Sequence, residues 1–417
     1  MSFFIQSLFV VIPIFSFLII IEEVTSRFIG ERVNRATDMI SSLSSGITNI
    51  TKDGMKFSIV IVSYSFFLQH LEVFKLEPIW ASVLLAVLVQ DFSGYWLHRL
   101  NHRVNVFWNR HVIHHSSEEF NLSCALRQSI SETVHFGAVL MIPAALFGVP
   151  AKFFVILGPI HLFMQFWYHT KLIDKMGWLE KIIVTPSHHR VHHAINPEYI
   201  DKNYGQIFII WDKLFGTFQP ELGDIKPIYG VLRPVKTWNP VIINYKHLWQ
   251  LIQDAYHTKN LWDRIRIWFM PTGWRPKDVA LNYPIISIKE PHQQNKYETI
   301  SSFPFIIWSF IQLNISVLLM FHFFTVIHLY SPFWNYSYGA LILFHIFSFT
   351  SALDRKKYSI ITELVKMIAI FGLLYKQEFL WFGLDVKYGH MLLAYGFISL
   401  SLTSYFHKNL KTITYQV

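Results

Sequence analysis

The feature that most restricts the fold of this chain is its series of long apolar runs. Crossing the hydrocarbon core of a bilayer takes roughly 20 apolar residues as a helix. Runs near that length occupy 3–21, 57–74, 78–97, 301–330, 337–352, 358–375 and 390–406. Two shorter runs, 134–149 and 152–168, meet at Val149-Pro150 and predict a hairpin that either crosses the membrane or re-enters it. We therefore expect an all-α polytopic membrane protein with about nine membrane segments.

The composition agrees with lipid as the main solvent. Charged residues make up 15% of the chain, whereas a soluble domain usually carries about 25%. The net charge of +9 comes without a basic run or an aromatic-interleaved patch, so no nucleic-acid partner is predicted. The single cysteine, Cys124, excludes an intramolecular disulfide and a cysteine-based metal site within one chain. We interpret it as a small buried residue.

The distribution of lysine and arginine predicts the orientation. If the histidine-rich loops and 170–299 are cytoplasmic, 31 of the 36 basic residues lie on that side and four on the other. The N-terminus is then outside and the tail inside. The run 3–21 ends at Glu22-Glu23 without a small-residue cleavage site, which predicts a retained helix and not a signal peptide. A bacterial inner membrane and an endoplasmic reticulum membrane both fit this multi-pass arrangement.

Twelve of the 21 histidines lie between His98 and His193, and most form the clusters HRLNH (98–102), HVIHH (111–115) and HHRVHH (188–193). Their i, i+3 and i, i+4 spacings place imidazoles on one face of a helix. Thr185-Pro186 predicts the start of the helix with the third cluster. Eight or more imidazoles exceed the four ligands of one zinc ion. The pattern favours two metal ions over a polar face, and iron, copper and zinc all suit imidazole.

At these residues the chain resembles the fatty acid hydroxylase/sterol desaturase superfamily, whose histidine boxes hold two non-haem irons. The similarity covers most of the chain and is strongest over 91–218. It lies in DFSGYWLHRLNH, HHSSEEFNLSCALRQS, QFWYHT, TPSHHRVHHAINPEYIDKNYGQIFIIWDKLFGTF and the late LDRKK. The stretches SSEEFNLSCALRQS and IDKNYG are similar to the ether-cleaving branch of that superfamily.

The resemblance implies a set of iron ligands, namely His98, His102, His111, His114, His115, His189, His192 and His193. His169 is expected as a ninth ligand, and His188 could replace or orient His189. Gln165 stands where wider members often carry a histidine, and could bind through water or not at all. In the eukaryotic ether-cleaving enzymes an acid follows the second histidine of the first box, whereas this chain has Arg103.

Other polar residues near the boxes have two interpretations each. Asp91, Glu118 and Glu119 could accept hydrogen bonds from the N–H groups of metal ligands, or the two glutamates could be solvated loop acids. A second set could bind a lipid headgroup or a pterin, or make ordinary loop hydrogen bonds: Asn121, Arg127 and Asn203. The segment 207–215 could lie on the membrane surface or pack over the metal centre. Histidines in apolar runs away from the boxes are interpreted as hydrogen-bonded helix residues: His135, His161, His322, His328 and His345.

The resemblance implies an oxidoreductase, an O₂-dependent di-iron monooxygenase that acts on a membrane lipid. In the ether-cleaving branch, the carbon next to the ether oxygen of an alkylglycerol is hydroxylated, and a fatty aldehyde and glycerol are released. Tetrahydrobiopterin is the implied electron donor. The alternative enzyme is a sterol or fatty acid hydroxylase or desaturase with another electron source, such as a redox protein. A metal or proton transporter would need ionisable residues along a path through the spans, where this chain offers Lys366 and scattered histidines.

These expectations divide the chain into four regions. Residues 1–90 are the N-terminal membrane helices, and 91–220 form the catalytic region. Residues 221–299 are a cytoplasmic cap or linker, and 300–417 are the C-terminal membrane helices. We expect the histidine-rich di-iron cap on the cytoplasmic side.

Overall fold

The structure is a computed structural model that describes residues 3–409, with side chains from residue 6, and it is mainly helical. Its N-terminal part contains helices α1 (Phe3–Phe28) and α2 (Ala36–Gly54), strand β1 (Ile59–Val60) and helix α3 (Tyr64–Leu71). The predicted membrane helix over 57–74 is wrong. The Ser63 side chain accepts a hydrogen bond from the Phe66 N–H and starts a new, eight-residue helix there, which at about 1.5 Å per residue is too short to cross a bilayer.

The middle of the chain carries the histidine clusters on short elements that follow one long helix. In order, these are α4 (Ile79–Arg103), α5 (Asn105–Trp108), α6 (Val112–His115), β2 (Val134–His135), α7 (Ile142–Leu146), α8 (Ala151–Phe166), α9 (Pro186–His192) and α10 (Ile210–Leu214). Three 3₁₀ helices lie among them, Cys124–Leu126, Gly137–Met141 and Gly177–Lys181. Strand β2 pairs in parallel with β1. As predicted, α4 continues from the apolar run through the first histidine cluster.

The remaining elements are one long helix with three short ones, and then a bundle of four long helices. The first set contains α11 (Pro240–His257), α12 (Leu261–Arg266), α13 (Lys277–Asn282) and the 3₁₀ helix Pro291–Gln293. The bundle contains α14 (Phe303–Val326), α15 (Pro332–Leu353), α16 (Ser359–Lys376) and α17 (Val386–Asn409). Residues 410–417 of the predicted C-terminal region lie outside the described residues. The largest apolar core lies in this bundle and includes Phe323, Phe324 and Tyr338.

Four helices within residues 3–409 are long and apolar enough to cross a membrane: Gln6–Phe28, Ile79–Arg103, Phe303–Val326 and Pro332–Leu353. The predicted hairpin over 134–168 contains only shorter apolar helices, Gly137–Leu146 and Ala151–Phe166. The chain is thus a helical integral membrane protein, and the count of nine segments is not confirmed. Its orientation stays a prediction.

Two buried carboxylates hold the histidine-bearing segments in place. The Asp91 carboxylate on α4 accepts hydrogen bonds from the backbone N–H groups of Ile207 and Phe208, at 2.8 and 3.0 Å. In the same way, Asp38 on α2 accepts from the Arg127 guanidinium at 2.7 Å, with both side chains at most 2% exposed. The long helices α2 and α4 therefore position the segments that follow the second and the third histidine clusters, respectively.

Candidate metal centre

The three histidine clusters meet at one site, and within each cluster the imidazoles share a face as the helical spacing predicted. His98 and His102 lie one turn apart on α4, and His111 immediately precedes α6. Helix α9 begins at Pro186 with Thr185 as its N-cap, as predicted, and the Thr185 N–H donates to the Nδ1 of His188 at 3.4 Å. The imidazoles on α4, α6 and α9 therefore point toward one another.

Nine of the ten predicted histidines form two groups whose ring nitrogens lie within 4.8 Å of one another. One group contains His98, His102, His111, His115 and His192, and the other contains His114, His169, His189 and His193. Within the first group, the Nε2 atoms of His98 and His111 are 3.0 Å apart, and those of His115 and His192 are 3.1 Å apart. Two nitrogens bound at roughly 2.1 Å to one ion, at right angles, lie about 3.0 Å apart.

Hydrogen bonds to backbone carbonyls leave unprotonated nitrogens facing one another. The Nδ1 of His169 donates to the Gln165 carbonyl at 2.8 Å, and the Nδ1 of His114 lies 3.3 Å from the Arg127 carbonyl. In a neutral imidazole that carries its proton on Nδ1, the Nε2 atom has only a lone pair. The Nε2 atoms of His114 and His169 are nevertheless only 3.3 Å apart. Two facing lone pairs repel, so this donor set fits a cation that binds both.

The other group shows the same arrangement. The Nδ1 of His98 donates to the Tyr204 carbonyl at 2.8 Å, and the Nδ1 of His192 donates to the Lys202 carbonyl at 2.9 Å. Both Nε2 atoms therefore point their lone pairs into the group. Fixing the tautomer through the outer nitrogen is usual for histidine metal ligands.

Burial keeps these imidazoles neutral, which is the form that binds a metal. Loss of solvation lowers the pKa of His114 to about 3. Burial and then neighbouring imidazoles lower the pKa of His115, His189 and His193 well below the ordinary value. At neutral pH the centre therefore offers uncharged nitrogens.

The structure shows the positions of His188 and Gln165, two residues whose roles the sequence left open. His188 lies outside both groups, with its ring toward Thr185 and Phe218, while His189 is inside one. The side-chain nitrogen of Gln165 lies 2.9 Å from the Nδ1 of His161. Gln165 instead contributes its backbone carbonyl, which orients His169.

The expected carboxylate partners of the ligands are engaged elsewhere. Asp91 binds Ile207, Phe208, the Trp211 indole and His161. The Glu118 carboxylate accepts from the Tyr297 N–H, and Glu119 pairs with Arg35 and with Lys296. The interpretation of these acids as partners of ligand N–H groups is therefore wrong. For His98, His114, His169 and His192, backbone carbonyls make those contacts, and a sequence does not distinguish one carbonyl from another.

The residues considered for a headgroup or pterin also have internal partners. Asn121 donates to the Val33 carbonyl, Arg127 binds Asp38, and Asn203 donates to the carbonyls of His188 and Gln219. These bonds agree with the alternative of loop hydrogen bonding. Arg103, which stands where the family pattern has an acid, donates to Asp201 at 2.7 Å, and the other Asp201 oxygen lies 3.9 Å from the Nδ1 of His102.

A cavity of about 660 Å³ opens onto the first group. Its lining includes His102, His115 and His192, and apolar side chains such as Val231 and Ile286 line it together with charged ones such as Arg233 and Lys246. The segment 207–215 is only partly buried: Ile209 packs against Tyr168 and Val184, while Ile210 and Leu214 are exposed. A long apolar substrate could therefore reach the imidazoles through the cavity.

Comparison with known proteins agrees with this geometry. Residues 83–217, which contain every member of both groups, match the model of the fatty acid hydroxylase family. This segment is therefore similar to a fatty acid hydroxylase domain. The superfamily resemblance inferred from the histidine boxes is thus confirmed.

Over a longer stretch than this segment, the chain is similar to alkylglycerol monooxygenases of several animals. It is 38% identical to the human protein over 269 residues, or 63% of this chain and 59% of the relative. Identity is 36% with the Xenopus tropicalis protein, over 65% of this chain and 60% of the relative. The identity with the Danio rerio protein is 37%, over 62% of this chain and 58% of the relative. The matches thus span about 60% of the length of these curated relatives. No solved structure matches the chain significantly.

Proposed function

We propose that this protein is an O₂-dependent di-iron monooxygenase that cleaves the O-alkyl bond of alkylglycerols. The observation that carries the proposal is the set of facing Nε2 lone pairs in a fatty acid hydroxylase domain. The similarity to alkylglycerol monooxygenases supports the substrate class. The proposed centre lies on the cytoplasmic side of the membrane, within the 91–220 catalytic region.

Each histidine group would hold one iron. The first group offers five nitrogens and the second offers four, and imidazole nitrogen suits iron. His188 is left out of the proposed ligand set because its ring lies toward Thr185. When bound, the two irons would supply the oxygen chemistry that side chains alone do not perform. The chain's own residues hold the tautomers through the carbonyls of Tyr204, Lys202 and Gln165.

The proposed reaction consumes one O₂ and two electrons. One oxygen atom is inserted into a C–H bond of the carbon next to the ether oxygen, and the other leaves as water with two protons. The resulting hemiacetal loses its glycerol oxygen as an alcohol, which gives a fatty aldehyde and glycerol. A reduced pterin such as tetrahydrobiopterin is the proposed donor. The apolar side chains of the cavity would hold the alkyl chain and exclude water near His102, His115 and His192.

An ether-cleavage assay with purified protein in nanodiscs tests this function. Iron-loaded protein should release a fatty aldehyde from 1-O-alkylglycerol only when O₂ and reduced pterin are both present. His135→Ala is the matched control, because His135 lies outside both groups and the variant should keep full activity. If the alkylglycerol stays intact with every electron donor tested, while a sterol or acyl lipid is hydroxylated or desaturated, the protein is instead a sterol or fatty acid hydroxylase or desaturase.

A further inference from the structure

Helix α11 carries an exposed apolar stripe on a region that is otherwise polar in sequence. Tyr245, Trp249, Ile252 and Tyr256 follow one another at i, i+4, i+7 and i+11, which places them on a single helix face. Their exposed fractions range from 41% for Ile252 to 78% for Tyr256. A continuous exposed apolar surface of this kind usually marks a site of contact with a protein or a membrane.

The stripe continues into the next helix. Leu261, Trp262, Ile265 and Phe269, on α12 and the turn after it, are 61% to 70% exposed. Together with the α11 residues they form what we call the aromatic face: Tyr245, Trp249, Ile252, Tyr256, Leu261, Trp262, Ile265 and Phe269.

The opposite side of α11 is firmly packed, so the aromatic face is the outer surface of an ordered element. Ile243 and Leu251 are buried. The Leu248 N–H donates to the Asn109 side chain at 2.9 Å, and Asp254 pairs with Arg275 at 2.6 Å.

Both ends of this element are attached to the ends of candidate membrane spans. At the start of α11, the Asn239 side chain donates to the Phe347 carbonyl and to Ser351, in the last turns of α15. Beyond α12, the backbone of Ile267 accepts from the side chain of Asn105, two residues after the end of α4. Because α4 and α15 are both candidate spans, these anchors place the aromatic face at the level where spans end.

The charges around the aromatic face suit an anionic surface. Residues 240–286 contain six basic and three acidic residues. Two of the acids are neutralised within the segment, Asp254 by Arg275 and Asp263 by Arg266. Lys259 and Arg264 are exposed beside the stripe. Tryptophan and tyrosine flanked by basic residues are typical of the headgroup layer of a bilayer.

We propose that the aromatic face is inserted into the headgroup layer of an anionic bilayer, so that α11 and α12 lie in the membrane surface without crossing it. This goes beyond the expected cytoplasmic cap or linker over 221–299. It also locates the cavity, because Ile243, Lys246 and Gln250 of α11 line it. The cavity therefore opens beside the lipid surface, and a lipid could enter without passing through bulk water.

Site-directed spin labelling of the full chain in proteoliposomes of phosphatidylcholine and phosphatidylglycerol tests the proposal. Cys124 is fully buried, so the unsubstituted protein serves as the unlabelled background. The labelled variants are Trp249→Cys, Tyr256→Cys and Trp262→Cys. The matched controls are Glu198→Cys and Asp224→Cys, two exposed polar positions outside the aromatic face. Collision with O₂, which partitions into lipid, is compared with collision with a water-soluble nickel chelate.

The expected result is an O₂-to-nickel accessibility ratio several-fold higher at 249, 256 and 262 than at the two controls. A ratio equal to that of the controls would place the aromatic face in water and overturn the proposal. Low accessibility to both reagents, with dipolar broadening between labels on different chains, would show that a second copy covers it and would also overturn the proposal. Neither readout depends on ether cleavage, so the proposed function can fail independently.

Discussion

Two regions of this protein bury several titratable side chains, but they do so in opposite ways. The histidine centre gathers nine groups of one kind, and lone pairs of His114 and His169 face each other at 3.3 Å. The C-terminal bundle buries Lys366 beside Glu363, with 2.7 Å between the ammonium and the carboxylate. Among the described residues, the first cluster consists of acceptors that face one another, and the second contains both a donor and an acceptor.

The C-terminal cluster satisfies itself through complementary groups. Lys366 also donates to Ser399 at 3.0 Å, and Ser348 donates to Glu363 at 2.7 Å. His345 is hydrogen-bonded to the Gln312 carbonyl at 3.1 Å, in agreement with its interpretation as a satisfied helix histidine. A buried donor beside a buried acceptor needs nothing further, so this cluster gives no support to the transporter alternative.

The difference teaches that burial of polar groups does not by itself indicate function. What distinguishes the histidine centre is that its groups are alike and point at one another. Such an arrangement is stable only with a ligand of opposite character, because unsatisfied buried polar groups are costly. The two regions should therefore respond differently to substitution.

The largest effect is expected from removing one imidazole of each group. His192→Ala and His189→Ala should each lower ether-cleavage activity about 100-fold or more, because even residues behind metal ligands contribute 10–100-fold. Each variant should lose about one of two bound irons, measured by mass spectrometry of the purified protein. His188→Gln, the matched neighbour outside the groups, should retain both irons.

If His192→Ala retains two irons and full activity, the first histidine group does not bind iron, and the contrast between the two regions fails. Loss of both irons in His188→Gln with normal iron in His189→Ala would reverse the assignment of these neighbours. Membrane insertion of every variant, checked by carbonate extraction, separates these outcomes from misfolding.

The next effect concerns the complementary cluster. Lys366→Met removes the only cation beside Glu363 in the described bundle and leaves a buried carboxylate without compensation, which typically costs about 3–5 kcal/mol. The double variant Lys366→Met/Glu363→Leu should be less destabilised, because neither charge remains. Unfolding by steric trapping in bicelles measures both, and iron content per folded molecule should stay unchanged. A double variant no more stable than the single one would show that the pair does not compensate itself.

A smaller effect is expected at Asp91. This residue lies near the histidine centre, but like Glu363 it is a buried acceptor whose partners are hydrogen-bond donors. Asp91→Asn removes the charge that strengthens the bonds from Ile207, Phe208 and the Trp211 indole. A hydrogen bond to a charged group contributes about 1.5–3 kcal/mol to stability and a neutral one about 0.5–1.5 kcal/mol, so only the difference is lost. The amides of Ile207 and Phe208 should exchange hydrogen faster, while both irons remain bound. Glu198→Gln is the control at an exposed acid. Unchanged exchange at those amides would remove Asp91 as the anchor of this segment.

These contrasts also show what the sequence could and could not predict. Helical spacing was enough to foresee that His98 faces His102, and that Thr185-Pro186 begins α9, because both depend on neighbours within one turn. The division of nine histidines into two groups depends on how three helices meet, which spacing does not encode. The same holds for the carbonyls of Tyr204 and Lys202, since every residue has one. Hydropathy also overestimated 57–74, where the capping of Ser63 interrupts an apolar run.

The smallest predicted effect tests how far local helix stability supports the centre. Thr185 caps α9, and replacing an N-cap threonine by alanine typically costs about 1 kcal/mol. Thr185→Ala should therefore lower protein stability slightly and weaken iron binding by less than the loss of a ligand does, because His189, His192 and His193 remain present but are held less rigidly. Thr185→Ser, which keeps the capping oxygen, should behave as the unsubstituted protein in chelator competition. Equal iron affinity in all three proteins would mean that tertiary packing alone fixes α9.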